Sequence, residues 1–298
     1  MTTPPPPTKL LFHHNSHLTT HPTTLLSITP FTSLPEPDKS LFKFPLPNAY
    51  VLTFPSTIFH PQGGGQPSDE GHISLTSSPS TTTFSVISVR HSAKNPSQVL
   101  HLGHFPATIS NNPPLTCFSP SEALFSPGDE VTQQINTQLR EYYSRLHTSG
   151  HVLGSAVRHL LESQIEGFDE LKASHFPESA ACEFRGLIEG KWKGPIQNKV
   201  NEFLKAKMPV EIDWWDEEDF RREGLERLIP RDGKGNIVKP ETDDGGKWRV
   251  VRIAGAEVYP CGGTHVERTD LCGEVTVRKI GRSKGCSRVS YSVAAPVE

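Results

Sequence analysis

Arg145-Leu146-His147-Thr148-Ser149-Gly150-His151-Val152-Leu153-Gly154 sits inside a longer run with a helical signature. Leu139, Tyr142, Tyr143, Leu146, Leu153, Val157, Leu160 and Leu161 recur at three- and four-residue spacing, which predicts one long amphipathic helix capped by Asn136 or Thr137. On such a helix His147 and His151 lie one turn apart on the same face, roughly 5–6 Å apart at Cβ. Gly150 and Gly154 each cost a helix about 1 kcal/mol against alanine, so tight packing or ligand access must offset them.

A second pair of candidate ligands lies far downstream, in Cys261-Gly262-Gly263-Thr264-His265. A helix that offers two imidazoles and a tight loop that offers a thiolate and an imidazole can together supply four corners of a tetrahedral site. His147, His151, Cys261 and His265 are therefore read as ligands of one Zn2+ ion. No carboxylates accompany them, which disfavours magnesium and calcium. Either pair alone is weak, because an ordinary helix face also carries histidines at this spacing; the two together are the stronger signal.

Outward from the helix the chain changes character. Residues 1–130 carry short β-branched runs such as Thr83-Phe84-Ser85-Val86-Ile87-Ser88-Val89, broken by Gly, Pro and Asn turns, and predict a small β-barrel domain. Leu10-Leu11-Phe12 and Tyr50-Val51-Leu52 read as strands within it. The loop Gly63-Gly64-Gly65-Gln66 lets backbone approach a ligand closely, although a glycine triplet is equally a flexible hairpin tip. Residues 131–298 mix helices near 139–161 and 196–207 with strands near 181–184, 210–214, 249–253, 274–280 and 288–293. The fold class is α+β: the barrel, then a two-layer domain with an antiparallel sheet and the long helix.

Composition bounds the function. The 298 residues are 34% hydrophobic and 21% charged with a net charge of −3, so any nucleic-acid contact needs a local basic patch. From residue 275 to 297 there is no acidic residue, while Arg278, Lys279, Arg282, Lys284 and Arg288 are basic; a solvated charged face would look the same. Lys191, Lys193 and Lys199 are a weaker candidate. No run of 18 apolar residues and no apolar leader segment is present, so no membrane association is expected. Five cysteines, Cys117, Cys182, Cys261, Cys272 and Cys286, do not form a disulfide pattern, and a reducing, cytoplasmic setting is expected.

The two metal-ligand motifs, with Thr57-x-Phe59-x-Pro61-x-Gly63-Gly64-Gly65-Gln66-Pro67-x-Asp69-x-Gly71 before them, resemble the editing domain of alanyl-tRNA synthetase and the free-standing alanyl-tRNA editing proteins of the AlaX type. Threonyl-tRNA synthetases carry a related domain, and Cys-Gly-Gly-Thr-His favours the alanyl branch. The resemblance runs from about residue 50 to the C-terminus. It departs at Gly150, where the family usually has Ala or Thr. It implies a zinc-dependent deacylase that hydrolyses the ester of serine, or glycine, on alanine tRNA. It also implies that Thr57 reads the serine hydroxyl, and that Gly63, Gly64, Gly65 and Gln66 line the pocket. No synthetase catalytic domain accompanies these motifs, so an editor acting in trans on the tRNA acceptor end is expected, monomeric and without ATP. Two other readings stay open: a zinc hydrolase of a small ester, and a catalytically silent zinc-containing tRNA-binding module.

Overall fold

The computed structural model describes residues 6–43, 48–77, 83–106, 125–239 and 245–295. Cys117 lies outside them. The class is α+β, and the chain divides into two compact units. The first comprises Met1–Gln62 and Ser68–Arg140, the second Gly63–Pro67 and Glu141–Glu298. The first unit holds most of the strands and the start of α2, and the glycine-rich turn groups with the second unit.

In the first unit β1 (Lys9–Leu10) pairs parallel with β5 (Ser56–Thr57). The expected strand does not extend to Phe12, because Leu11–His13 turns as a 3-10 helix. The main sheet contains β2 (Thr20–Thr24), β3 (Ser27–Pro30), β4 (Tyr50–Thr53), β6 (Gly71–Leu75), β7 (Thr83–His91), β8 (Val99–His104) and β9 (Glu130–Ile135). Their order is β2-β9-β6-β7-β8-β4-β3, all antiparallel. The outermost strands are therefore consecutive in sequence, separated only by Leu25 and Leu26. Leu25 donates to Asp129 O beside β9, and Leu26 donates to Thr53 O on β4. Seven flat strands would hold these edges roughly 29 Å apart, far beyond a two-residue link, so the sheet must curl back on itself. No β2–β3 ladder is present among the described residues.

Burial follows from the curl. Tyr50 and Leu52 of β4 face a core with Phe54, Ile73, Phe84, Val99 and Val131, while Val51 faces a second cluster with Leu34, Phe42, Leu100 and Leu102. Both faces of β4 are covered, which explains its unbroken apolar run. The Pro/Thr/Ser-rich N-terminal segment is thus part of the fold. Arg140 ties the unit together: its guanidinium is ion-paired with buried Asp69 and donates to Ile58 O at 2.6 Å and Ser16 O at 2.7 Å. Gly71 is a packing requirement, since a Cβ there would lie 2.2 Å from Gln134 O.

Besides the short α1 (Glu36–Lys39), the first helix is α2 (Thr137–Leu161), whose Leu139 N–H is capped by Asn136 Oδ1 at 3.2 Å. In the second unit its residues Leu146, Val152, Leu153, Ala156, Val157 and Leu161 share one core with the four-stranded antiparallel sheet. That sheet has the order β10-β11-β16-β15, with β10 (Asp169–Ser174), β11 (Ala181–Arg185), β15 (Val275–Ser283) and β16 (Cys286–Val293). The helix α3 (Lys193–Lys205) adds Ile196, Val200, Phe203 and Leu204 to the same core. A separate three-stranded sheet, β12 (Val210–Trp215), β13 (Trp248–Ile253) and β14 (Glu257–Pro260), carries a smaller core of Trp215, Phe220, Ile229, Trp248 and Val250. Phe220 lies on α4 (Glu217–Arg222), which opens with an Asp216–Asp219 capping box. No described helix is long and apolar enough to cross a membrane.

Candidate metal centre

His147 and His151 project from α2, and Cys261 and His265 from the loop that follows β14. The loop is held at its start by Arg249 on β13: Cys261 N–H donates to Arg249 O, and the guanidinium donates back to Cys261 O. The four ligand atoms all lie within 4.8 Å of one another. Cys261 Sγ is 3.4 Å from His147 Nε2 and 3.3 Å from His265 Nε2. A tetrahedral zinc with bonds of about 2.0–2.1 Å to nitrogen and 2.3 Å to sulfur has N···S edges of about 3.5 Å, so the donors stand at the spacing such an ion needs.

Hydrogen bonds around the cluster decide which nitrogen faces inward. Gln66 Oε1 accepts from Thr264 N–H at 3.0 Å and lies 2.7 Å from His147 Nδ1. A carbonyl oxygen only accepts, so His147 carries its proton on Nδ1 and turns a bare Nε2 toward Cys261. Gln66 Nε2 donates to Thr264 Oγ1 at 2.8 Å, and Ser144 shares that hydroxyl at 2.7 Å. His265 Nδ1 lies 3.3 Å from Thr148 Oγ1, which itself accepts from Val266 N–H at 3.2 Å. His151 Nε2 is buried and has no hydrogen-bond partner among the described residues. An orphaned imidazole nitrogen is costly unless something binds it, and a metal ion held with the other three donors would.

Electrostatics fit the same occupant. Burial, reinforced by the neighbouring His175 and the Arg249 guanidinium, lowers the His151 pKa to about 3, so the ring is neutral and able to ligate. Burial pushes the Cys261 thiol up, while the Arg249 guanidinium and the Gly263 N–H favour the thiolate. The donors present, three imidazoles and one thiol without a carboxylate, could hold a soft or borderline divalent ion.

The remaining sequence candidates are distributed differently. Gly63 and Gln66 close a tight turn through reciprocal backbone bonds, with Gly64 and Gly65 at φ of 54° and 79°. Gly64 and Gly65 therefore supply the left-handed residues of a turn that aims Gln66 at His147. Thr57 belongs to the first unit, is fully buried, accepts from Phe59 N–H at 3.1 Å and lies 2.8 Å from His101 Nε2.

The basic residues cluster on the β15–β16 hairpin, and all five are exposed. Lys284 and Gly285, with φ of 49° and 77°, form its two-residue turn. A register shift between Val277 and Lys279 explains why Arg278 and Lys279 both face solvent. Arg288 is 3.0 Å from Glu183, and with Arg282 it lines a pocket of about 300 Å³ that also includes Ser283 and Cys286.

Sequence reasoning passed over His175. Its ring stacks on His147 with centroids 4.2 Å apart, and burial lowers its pKa to about 3. The available signal was Gly150: a Cβ there would lie 2.3 Å from His175 Cε1.

Residues 248–290, which contain Cys261, His265 and the five basic residues of the hairpin, match the family described as the threonyl and alanyl tRNA synthetase second additional domain. An alanine–tRNA ligase from Methanothermobacter thermautotrophicus is 26% identical over 245 residues, 82% of this chain and 24% of the ligase. The alanyl-tRNA editing protein AlaX-L of Pyrococcus horikoshii is 26% identical over 237 residues, 79% of this chain and 49% of that protein. AlaX-M of Methanosarcina barkeri is 27% identical over 236 residues, 79% of this chain and 85% of its own length. The chain spans about a quarter of the length of that ligase and about half of AlaX-L, the first two of these relatives. Along about four-fifths of its length, it is similar to AlaX-type alanyl-tRNA editing proteins and to one segment of the alanine–tRNA ligases.

Proposed function

We propose that this chain is a zinc-dependent aminoacyl-tRNA deacylase that edits in trans, hydrolysing the ester of serine, and secondarily glycine, on alanine tRNA. The observation that carries the reading is the four-donor cluster of His147, His151, Cys261 and His265, with Gln66 fixing the His147 tautomer. The similarity to alanyl-tRNA editing proteins names the substrate class.

Zinc bound there would supply Lewis acidity toward the ester carbonyl or an attacking water. The chain's own residues perform the rest. Gln66 holds the proton of His147 on Nδ1, and Thr148 orients His265. Arg249 keeps positive charge beside Cys261, favouring the thiolate. Thr57 is assigned to the serine hydroxyl: a polar contact is needed because an apolar pocket discriminates poorly against one added hydroxyl. Its side chain already accepts from Phe59 N–H, so the hydroxyl is held in a fixed orientation. Arg278, Lys279, Arg282, Lys284 and Arg288 are assigned to the phosphates of the acceptor end, a contact that weakens with salt. Neither ATP nor a membrane enters this scheme.

The test offers the purified chain, with zinc and with chelator, serine-charged and alanine-charged alanine tRNA and a free seryl ester. Zinc-dependent loss of serine from tRNA, with alanine largely retained, is expected. Hydrolysis of the free ester at an equal rate would favour a small-ester hydrolase, and no hydrolysis at all would leave a silent binding module.

A further inference from the structure

Two glycines in separate motifs, Gly65 and Gly150, border the same side chain. A Cβ at Gly150 would meet His175 Cε1 at 2.3 Å and Nδ1 at 2.5 Å. A Cβ at Gly65 would meet Ala173 O at 2.5 Å and His175 Cδ2 at 3.1 Å. The imidazole of His175 is therefore wedged between α2 and the glycine-rich turn, with opposite edges against the two glycines. Its main-chain N–H also donates to Gly65 O at 2.8 Å. Its flat face lies on His147, with ring planes 25° apart.

The wedge is fixed from behind. Tyr291 on β16 donates its hydroxyl proton to Leu146 O at 2.9 Å, and its oxygen lies 2.7 Å from His175 Nδ1. With that proton committed, the oxygen accepts, so His175 carries its hydrogen on Nδ1. One side chain thus touches α2, the turn that presents Gln66, and the core strand β16.

We propose that His175 is a positioning residue of the metal centre: its ring fixes the plane of His147 and seats the glycine-rich turn so that Gln66 Oε1 meets His147 Nδ1. It binds no metal in this arrangement and acts through His147. The inference rests on the proposed zinc centre but not on the editing reaction. Supporting residues around metal ligands commonly change metal affinity 10- to 100-fold when removed.

The test is metal binding by the full chain, read by zinc competition against a chromogenic chelator and by the visible bands of the cobalt-substituted protein. His175→Ala is expected to bind zinc about 10- to 100-fold more weakly and to shift the cobalt bands. His175→Leu, which keeps bulk without a flat face and serves if the alanine variant does not fold, should behave like alanine. His175→Phe, which restores the ring face, should return affinity to within a few-fold of the parent. Parental affinity and an unchanged cobalt spectrum in a folded alanine or leucine variant would overturn the proposal, as would a folded phenylalanine variant no better than leucine. A parent chain that binds neither ion would overturn it together with the zinc centre. Metal binding without deacylation would sink the editing reading alone.

Discussion

Gly150→Ala sets two physical rules against each other. By helix propensity alone, alanine at a mid-helix position should stabilise α2 by about 1 kcal/mol. The structure reverses that sign. The new Cβ would stand 2.3 and 2.5 Å from His175 ring atoms and 2.8 Å from the Tyr291 hydroxyl. Ordinary carbon contacts need about 3.5–4.0 Å, so the ring must retreat by more than 1 Å. It cannot do so freely, because His147, Gly65 and Tyr291 enclose it. Overpacking of this kind costs about 1–3 kcal/mol, so after the propensity gain the net loss is about 0–2 kcal/mol. Urea titration of metal-free protein, monitored at the far-UV helix signal, reads this directly, and each kcal/mol corresponds to about 2–4 °C in a thermal scan. Zinc affinity should fall in parallel as His147 loses its support. A Gly150→Ala variant more stable than the parent by close to 1 kcal/mol, with undiminished zinc affinity, would refute the reasoning.

Other outcomes follow from the same geometry. Cys261→Ala should bind zinc at least tenfold more weakly and lose deacylation; full metal content with full activity would contradict the ligand set. Zinc affinity should fall as pH falls, because binding expels the Cys261 proton; in the range where the thiol is protonated the slope approaches tenfold per pH unit, measurable by competition titration. Thr57→Val should lower the preference for seryl over alanyl ester and cost about 1–3 kcal/mol, since Phe59 N–H and His101 lose their partner in a buried place; unchanged substrate preference would reject the assignment. Burial raises Glu170 to about 7 from an ordinary 4.5. Its contribution is therefore complete below about pH 4.5 and is lost as pH rises through 7, so Glu170→Gln should stabilise the chain at pH 8 relative to the parent but not at pH 4, as read by urea midpoints.

The four-donor cluster was legible because a site of imidazoles and a thiolate would need few residue types at short spacing, and α2 turns a spacing of four into a shared face. Five strands of the second unit were legible from their apolar and β-branched runs, whereas β10 and β14 were not. What escaped the sequence is long-range. Gln66 and Thr264 are 198 residues apart, and nothing local says that they share a hydrogen bond. His175 lies in a connecting segment without periodicity, so only the unexplained glycines around it signalled a role. Before Tyr50 the sequence marked only Leu10-Leu11-Phe12 as a strand, because prolines and threonines mask β2 and β3, and the apolar residues Leu34 and Phe42 cover a face of β4 that only the folded sheet creates. Of the barrel expectation, the structure shows a curled antiparallel sheet, with partners set by contacts such as Leu25 with Asp129 that periodicity cannot reveal.

The outermost strands of that sheet carry a further consequence. β2 contains Pro22 and β3 ends at Pro30. A sheet edge is a template onto which another chain can add a strand, and proline removes one donor from that template. The same segment that brings the edges together also interrupts their hydrogen-bonding rows. A chain rich in threonine and other β-forming residues thereby discourages its own copies from pairing edge to edge while it folds.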